Sequence, residues 1–206
     1  MTQPDSRGDH HPTEVGFRPL TRTEFPLLSE WMAASHVARW WRERSDPQAI
    51  DDHDGPIVDD TDPTEIFIVR QGSRPMGLVQ RYTLDDNVNW QTALSVTGTP
   101  LHAFGIDYLI GAEDLIGRGM GPRMLEQFVD DSWRRFPECP ACVVGVHQDN
   151  RRSWRALEKA GFVRAWSGFL DSDDPSDAGP EHVYLKPRPA DPPPAARHAD
   201  PAGEFA

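Results

Sequence analysis

Two stretches decide the fold: Ile116-Gly117-Arg118-Gly119-Met120-Gly121-Pro122-Arg123 and, about 30 residues on, Asn150-Arg151-Arg152-Ser153-Trp154-Arg155-Ala156-Leu157-Glu158-Lys159-Ala160-Gly161-Phe162. The first follows the apolar, strand-like run Phe104-Gly105-Ile106-Asp107-Tyr108-Leu109-Ile110 and opens a helix over about 121–136. Glycines let successive backbone N–H groups curl round an anion without Cβ interference, and a helix N-terminus adds a favourable dipole. Pro122 suits the first helical position, where its missing N–H costs nothing. Arg118 and Arg123 add positive charge. The loop therefore reads as a phosphate cradle. It lacks the Gly-Lys-Ser/Thr ending of a nucleotide P-loop, and it does not stand at the first strand as a dinucleotide fingerprint would.

Working outward, residues 142–146 read as a strand and 150–159 as a helix, capped by Asp149 or Asn150 and closed by Gly161. Strands at 162–166 and 182–185 end the domain. Upstream, 65–70 and 76–82 form a hairpin across Gln71-Gly72-Ser73-Arg74-Pro75. A polar loop joins the hairpin to Phe104. A strand at 15–19 precedes a helix in which Phe25, Leu28 and Met32 share a face. Thr21 and Glu24 make a capping box, but Pro26 argues for the later cap at Thr23. Ser35 to Trp41 form a second helix. The expected fold is a mixed α/β sheet in one domain at about 15–187, with disordered tails at 1–14, which hold His10 and His11, and at 188–206.

The chain has 206 residues and a formal net charge of −12. That field repels nucleic acid and anionic membranes and attracts a cation. No run is long and apolar enough to span a bilayer, and Met1 to His11 have no apolar signal core. The cytoplasm is the expected location. The stretch from Asp46 to Glu65 holds eight carboxylates and no Lys or Arg. It reads as a solvated acidic loop or frayed helix, or as one wall of a site for a polycation. Cys139-Pro-Ala-Cys142 has no second pair to complete a zinc site and precedes a strand instead of opening a helix, so it reads as structural. No metal is expected.

The glycine loop and the Glu-Lys-Ala-Gly-Phe ending, in this order and separation, resemble the GNAT superfamily of N-acetyltransferases. The resemblance implies a mostly antiparallel sheet with a V-shaped split between two parallel strands, here 104–110 and 142–146. Acetyl-CoA as co-substrate would be held by Gly117, Arg118, Gly119, Gly121, Arg123 and Asn150. Backbone N–H groups near Leu109 and Ile110 would hold the thioester carbonyl. Within the superfamily, Ser35 to Trp41, Met76 to Tyr82 and Gly105-Ile106-Asp107 look like the aminoglycoside 6′-N-acetyltransferase branch. That likeness implies that Asp107 acts on the acceptor amine. It also implies that Trp41, Tyr82 and Asp177 line the acceptor site, Trp40 being a packing residue. The implied partner is a cationic small-molecule amine, met by a monomer or homodimer.

Three departures stand out. Ile116 opens the phosphate motif, where the superfamily often has Arg or Gln. Leu157 stands where relatives often carry a tyrosine that protonates the leaving thiolate. His147-Gln148 replace an aspartate found in some relatives. A siderophore-type hydroxylysine acyltransferase is the alternative, but that branch uses histidine where this chain has Asp107. A non-catalytic binding protein is a second alternative, supported only by Leu157.

Overall fold

The computed structural model describes residues 15–172 and 174–190. The expected tail at 1–14, the C-terminal tail from 191 on and Asp173 lie outside the described residues. Seven strands form one sheet: β1 (Val15–Pro19), β2 (Glu65–Gln71), β3 (Arg74–Thr83), β4 (Phe104–Ile110), β5 (Ala141–His147), β6 (Val163–Phe169) and β7 (Pro180–Pro187). Their order is β1-β2-β3-β4-β5-β7-β6. Every neighbouring pair is antiparallel except β4 and β5. This is the mixed, mostly antiparallel α/β architecture expected from the sequence.

The parallel pair positions the site. Only Phe104↔Cys142 and Gly105↔Val143 are in register. β4 then runs on to Ile110 and β5 to His147 without further pairing to each other, so the sheet opens into a V just past Gly105. Asp107 is two residues beyond the last pair.

Alternation along the strands supplies two apolar faces. Phe67, Val69 and Val79 face one core, beneath α5 (Met120–Arg135) and α6 (Arg151–Lys159). Ile66, Ile68 and Leu78 face the other, against α1 (Phe25–Ala33), α2 (Ser35–Trp41) and α3 (Pro47–Val58). A third cluster packs Leu94, at the end of α4 (Val88–Ala93), on Val143 and Val183. Arg81 is buried at 6% exposure yet paired with two carboxylates. It binds Glu65 at 2.6 Å and Asp131 at 2.8 Å, and its guanidinium lies over the rings of Phe67 and Phe128. Just past β7, Arg188 bonds the carbonyls of Cys139 and Phe136 and covers Trp133.

Four local expectations change. Most of the acidic stretch is an ordered helix, and only 59–64 form a loop: Asp46 caps α3 by accepting from Ala49 N–H, Pro47 fills the first turn, and Arg22 ties Asp51 and Asp59 together. The polar loop before β4 contains α4. At the first helix the capping box at Thr21 is the one used: Glu24 accepts from the Thr21 N–H at 3.0 Å, closing a single 3₁₀ turn that runs into α1. Pro26, second in α1, still lies where its missing N–H costs little. Pro122 is third in α5, not first. Cys139 and Cys142 are buried free thiols.

Candidate active site

The glycine loop adopts the conformation its composition allows. Gly117 and Gly119 have φ of 80° and 77°, and α5 begins immediately after. A cavity of about 600 Å³ lies against the loop, lined by Ile116, Gly117, Gly119 and Gly121, by Leu109 and Ile110, and by α6. Asn150 caps α6, its side-chain oxygen accepting from Ser153 N–H at 3.3 Å. His36 of α2 hydrogen-bonds the Ile110 carbonyl at 3.0 Å and so ties α2 to the end of β4.

Arg118 and Arg123 do not line this cavity. Its positive charge comes from Arg39, Arg151, Arg152, Arg155 and Lys159. The sequence reading missed these residues, although Arg152, Arg155 and Lys159 fall at i, i+3 and i+7, the spacing of one helical face.

A second cavity, of about 1020 Å³, lies on the other side of the V. Its walls include Glu43, Asp52, Asp86, Asp107, Asp177 and Glu181, and no Lys or Arg among the described residues lines it. Antiparallel register sets Gln80 opposite Asp107, and the Gln80 amide donates to the Asp107 carboxylate at 3.0 Å. The Tyr82 hydroxyl lies near enough to the same carboxylate to lower its acidity constant. Asp107 lies deep in the molecule but keeps part of its surface open to the cavity. Burial pushes its acidity constant up, Gln80 and Tyr82 pull it down, and Asp174 repels it. Asp177 accepts from Ser172 Oγ at 2.6 Å.

The tryptophans divide differently from the expectation. Trp41 packs against the α1–α3 core, whereas Trp40 stands outside the core clusters, beside His147 and beneath Arg39. Both line both cavities. The sequence reading also missed Glu43 and Glu181. Glu181 is 2% exposed, and its Oε1 has no hydrogen-bond partner. Burial, with repulsion from Asp177, pushes it up to about 8. Burial likewise raises Glu43 to about 7 and Asp177 to about 6. His53, bonded to Asp54, is raised to about 9.

All these shifts have one sign. A carboxyl whose acidity constant is higher folded than unfolded binds more protons in the native state. Its stabilising contribution is full below the unfolded value and lost as pH rises through the folded one. For Glu181 that window runs from 4.5 to about 8. The unliganded protein is expected to lose thermal stability steadily between these limits. Glu181→Gln should flatten the decline, measured by calorimetry across pH. An unaltered slope in Glu181→Gln would show that this group does not carry it.

Among the described residues, no cluster of three or more His, Cys, Asp or Glu could hold a metal ion. No described helix is long and apolar enough to cross a membrane.

A glycine loop at a helix N-terminus, a two-strand split beside it and a carboxylate at the split lie together in this fold. The chain belongs to the GNAT acetyltransferase family: the acetyltransferase (GNAT) domain description matches residues 21–167. It is an acyl-CoA-dependent N-acetyltransferase. Relatives include the aminoglycoside N(6′)-acetyltransferases type 1 of Klebsiella pneumoniae and of Serratia marcescens. Each is 27% identical over 154 residues, covering 73% of this chain and 74% of the relative. Among solved structures, an aminoglycoside acetyltransferase AAC(6′)-Ib in complex with coenzyme A superposes with a TM-score of 0.71 at 24% identity, covering 85% of this chain and 95% of that one. An uncharacterized protein from Bacillus halodurans superposes with a TM-score of 0.70 at 18% identity, covering 84% and 83%. These two likenesses are of fold.

Proposed function

We propose that the protein transfers an acetyl group from acetyl-CoA to a primary amine of a polycationic small molecule, the 6′-amine of an aminoglycoside. The observation that carries this reading is the carboxylate-lined cavity meeting the phosphate-loop cavity at the strand split. The pyrophosphate sits at the N-terminus of α5, where free N–H groups and the helix dipole favour an anion. The thioester carbonyl rests against backbone N–H groups near Leu109 and Ile110, which stabilise the oxyanion as it develops.

Asp107 works on the amine. An alkylammonium has no lone pair and cannot attack. The carboxylate first holds the cation, then accepts its proton, and the free amine adds to the thioester carbon. Gln80 fixes the orientation of that carboxylate. The remaining ammonium groups of the acceptor pair with Asp177, Glu43 and Glu181, and Trp40 and Trp41 flank the rings. Attack is direct, in a ternary complex. Cys142, the thiol nearest the split, is buried in the core, and burial pushes its acidity constant well up, so it is a poor nucleophile.

A thiol-release assay with acetyl-CoA against aminoglycosides, linear polyamines and hydroxylysine tests the reading. Turnover is expected with aminoglycosides carrying a 6′-amine and lost when a hydroxyl replaces that amine. Turnover confined to hydroxylysine with a long-chain acyl-CoA would overturn it.

A further inference from the structure

Only five described residues, Trp40, Trp41, Tyr108, Asn150 and Ser153, line both cavities. If the donor enters from the loop side and the acceptor from the acidic side, the carbon–sulfur bond breaks at this junction. The departing sulfur takes the electron pair of that bond and needs a proton. The indoles and the Asn150 amide do not release protons at neutral pH, and the Asn150 oxygen is already engaged at the cap of α6. Two hydroxyls remain, and they touch. Tyr108 OH and Ser153 Oγ are 2.7 Å apart. Burial pushes the Tyr108 phenol far up, with Asp107 adding to the rise, so Tyr108 holds its proton at neutral pH. Leu157, one turn beyond Ser153, is apolar and wholly buried.

We propose that Tyr108 and Ser153 form a proton relay to the coenzyme A sulfur. This rests on the acyl-transfer reading given above. Tyr108 donates to Ser153 Oγ, which leaves the serine O–H directed into the junction and onto the sulfur. As the carbon–nitrogen bond forms and the carbon–sulfur bond breaks, the serine proton moves to sulfur and the tyrosine proton to serine. The first proton, taken from the ammonium, leaves Asp107 for solvent in the open acceptor cavity. The second, shed by nitrogen as the amide forms, returns through that cavity to the tyrosinate, so the count closes with one proton on sulfur and one in solvent. Ser153 lies in the first turn of α6, where the helix dipole favours the negative charge developing close by.

Two measurements test the relay. In steady-state acetylation, Ser153→Ala and Tyr108→Phe should each lower kcat roughly 100-fold, the low end for a lost proton donor, with KM for acetyl-CoA little changed. Ser153→Thr should restore most of the rate. The two losses should not add in the double variant, because one relay is broken either way. Independently of turnover, binding of coenzyme A is compared with that of desulfo-coenzyme A near pH 9, where a free thiol of pKa about 8.5 is mostly thiolate. The wild type should prefer the thiolate form roughly 10-fold, and both single variants should lose the preference, the loss of a charge-assisted hydrogen bond. A wild type without that preference, or variants that keep it, overturns the relay. So do full kcat values in the single variants. A wild type that shows the preference but acetylates no amine would sink the acceptor reading and leave the relay standing.

Discussion

Asp107→Asn is expected to lower kcat by roughly 100- to 10,000-fold, the range for loss of a general base, with coenzyme A affinity unchanged. The substitution is nearly isosteric, so the fold and the donor cavity stay as they are. What disappears is the charge proposed to hold the ammonium and to take its proton. The unliganded variant should not be less stable, because burial makes the Asp107 charge unfavourable in the first place. Thiol release, calorimetric titration with coenzyme A and a melting curve separate these effects. A variant that keeps wild-type kcat would remove Asp107 from the mechanism.

The second large effect lies in β3. A Cβ on Gly77 would fall 2.1 Å from the Leu109 carbonyl oxygen and 3.1 Å from Ile110 Cα. Both neighbours are backbone, so no side chain can swing aside. β4 itself must shift, at the part of the strand assigned to the thioester. Overpacking costs about 1–3 kcal/mol and sometimes more, and a clash with backbone falls at the upper end. At about 3 kcal/mol, Gly77→Ala should lower the melting temperature by roughly 6–12 °C in a chain of this size. Affinity for acetyl-CoA should fall with it. Gly16 in β1, whose added Cβ would meet nothing within 4 Å, is the control. Gly77→Ala melting with the wild type would mean the strand yields more easily than its contacts imply.

The sequence made the donor half of the molecule legible and the acceptor half only partly so. The limits of β4 were read to the residue, because its β-formers are closed by Gly111. The donor loop and α6 were equally plain, since their chemistry is local: glycines for N–H groups, a cap residue, a closing Gly161. The acidic helix α3 was misread by weight of charge, although Asp46-Pro47 is a cap followed by a first-turn proline. α4 was missed because it is six residues long and polar, and is held by Leu94 packing on strands far away in sequence. Glu43 and Glu181 could not have been found locally. Each is an ordinary carboxylate in its own segment and becomes unusual only when chain folding removes water and partners from around it. The tryptophan pair was recognised, but which ring joins the core depends on how α2 lies over α1.

The two cavities draw on nearly separate parts of the gene. Apart from the five shared residues, the loop-side cavity is built from α2, the end of β4 and residues 116–159, while the acidic one takes the rest of its lining chiefly from 43–92 and 171–181. Under the proposed division of roles, substitutions in the acidic chamber would change the guest it takes and leave the donor side untouched. Grafting residues 43–92 and 171–181 together should transplant acceptor choice between relatives, and either segment alone should not.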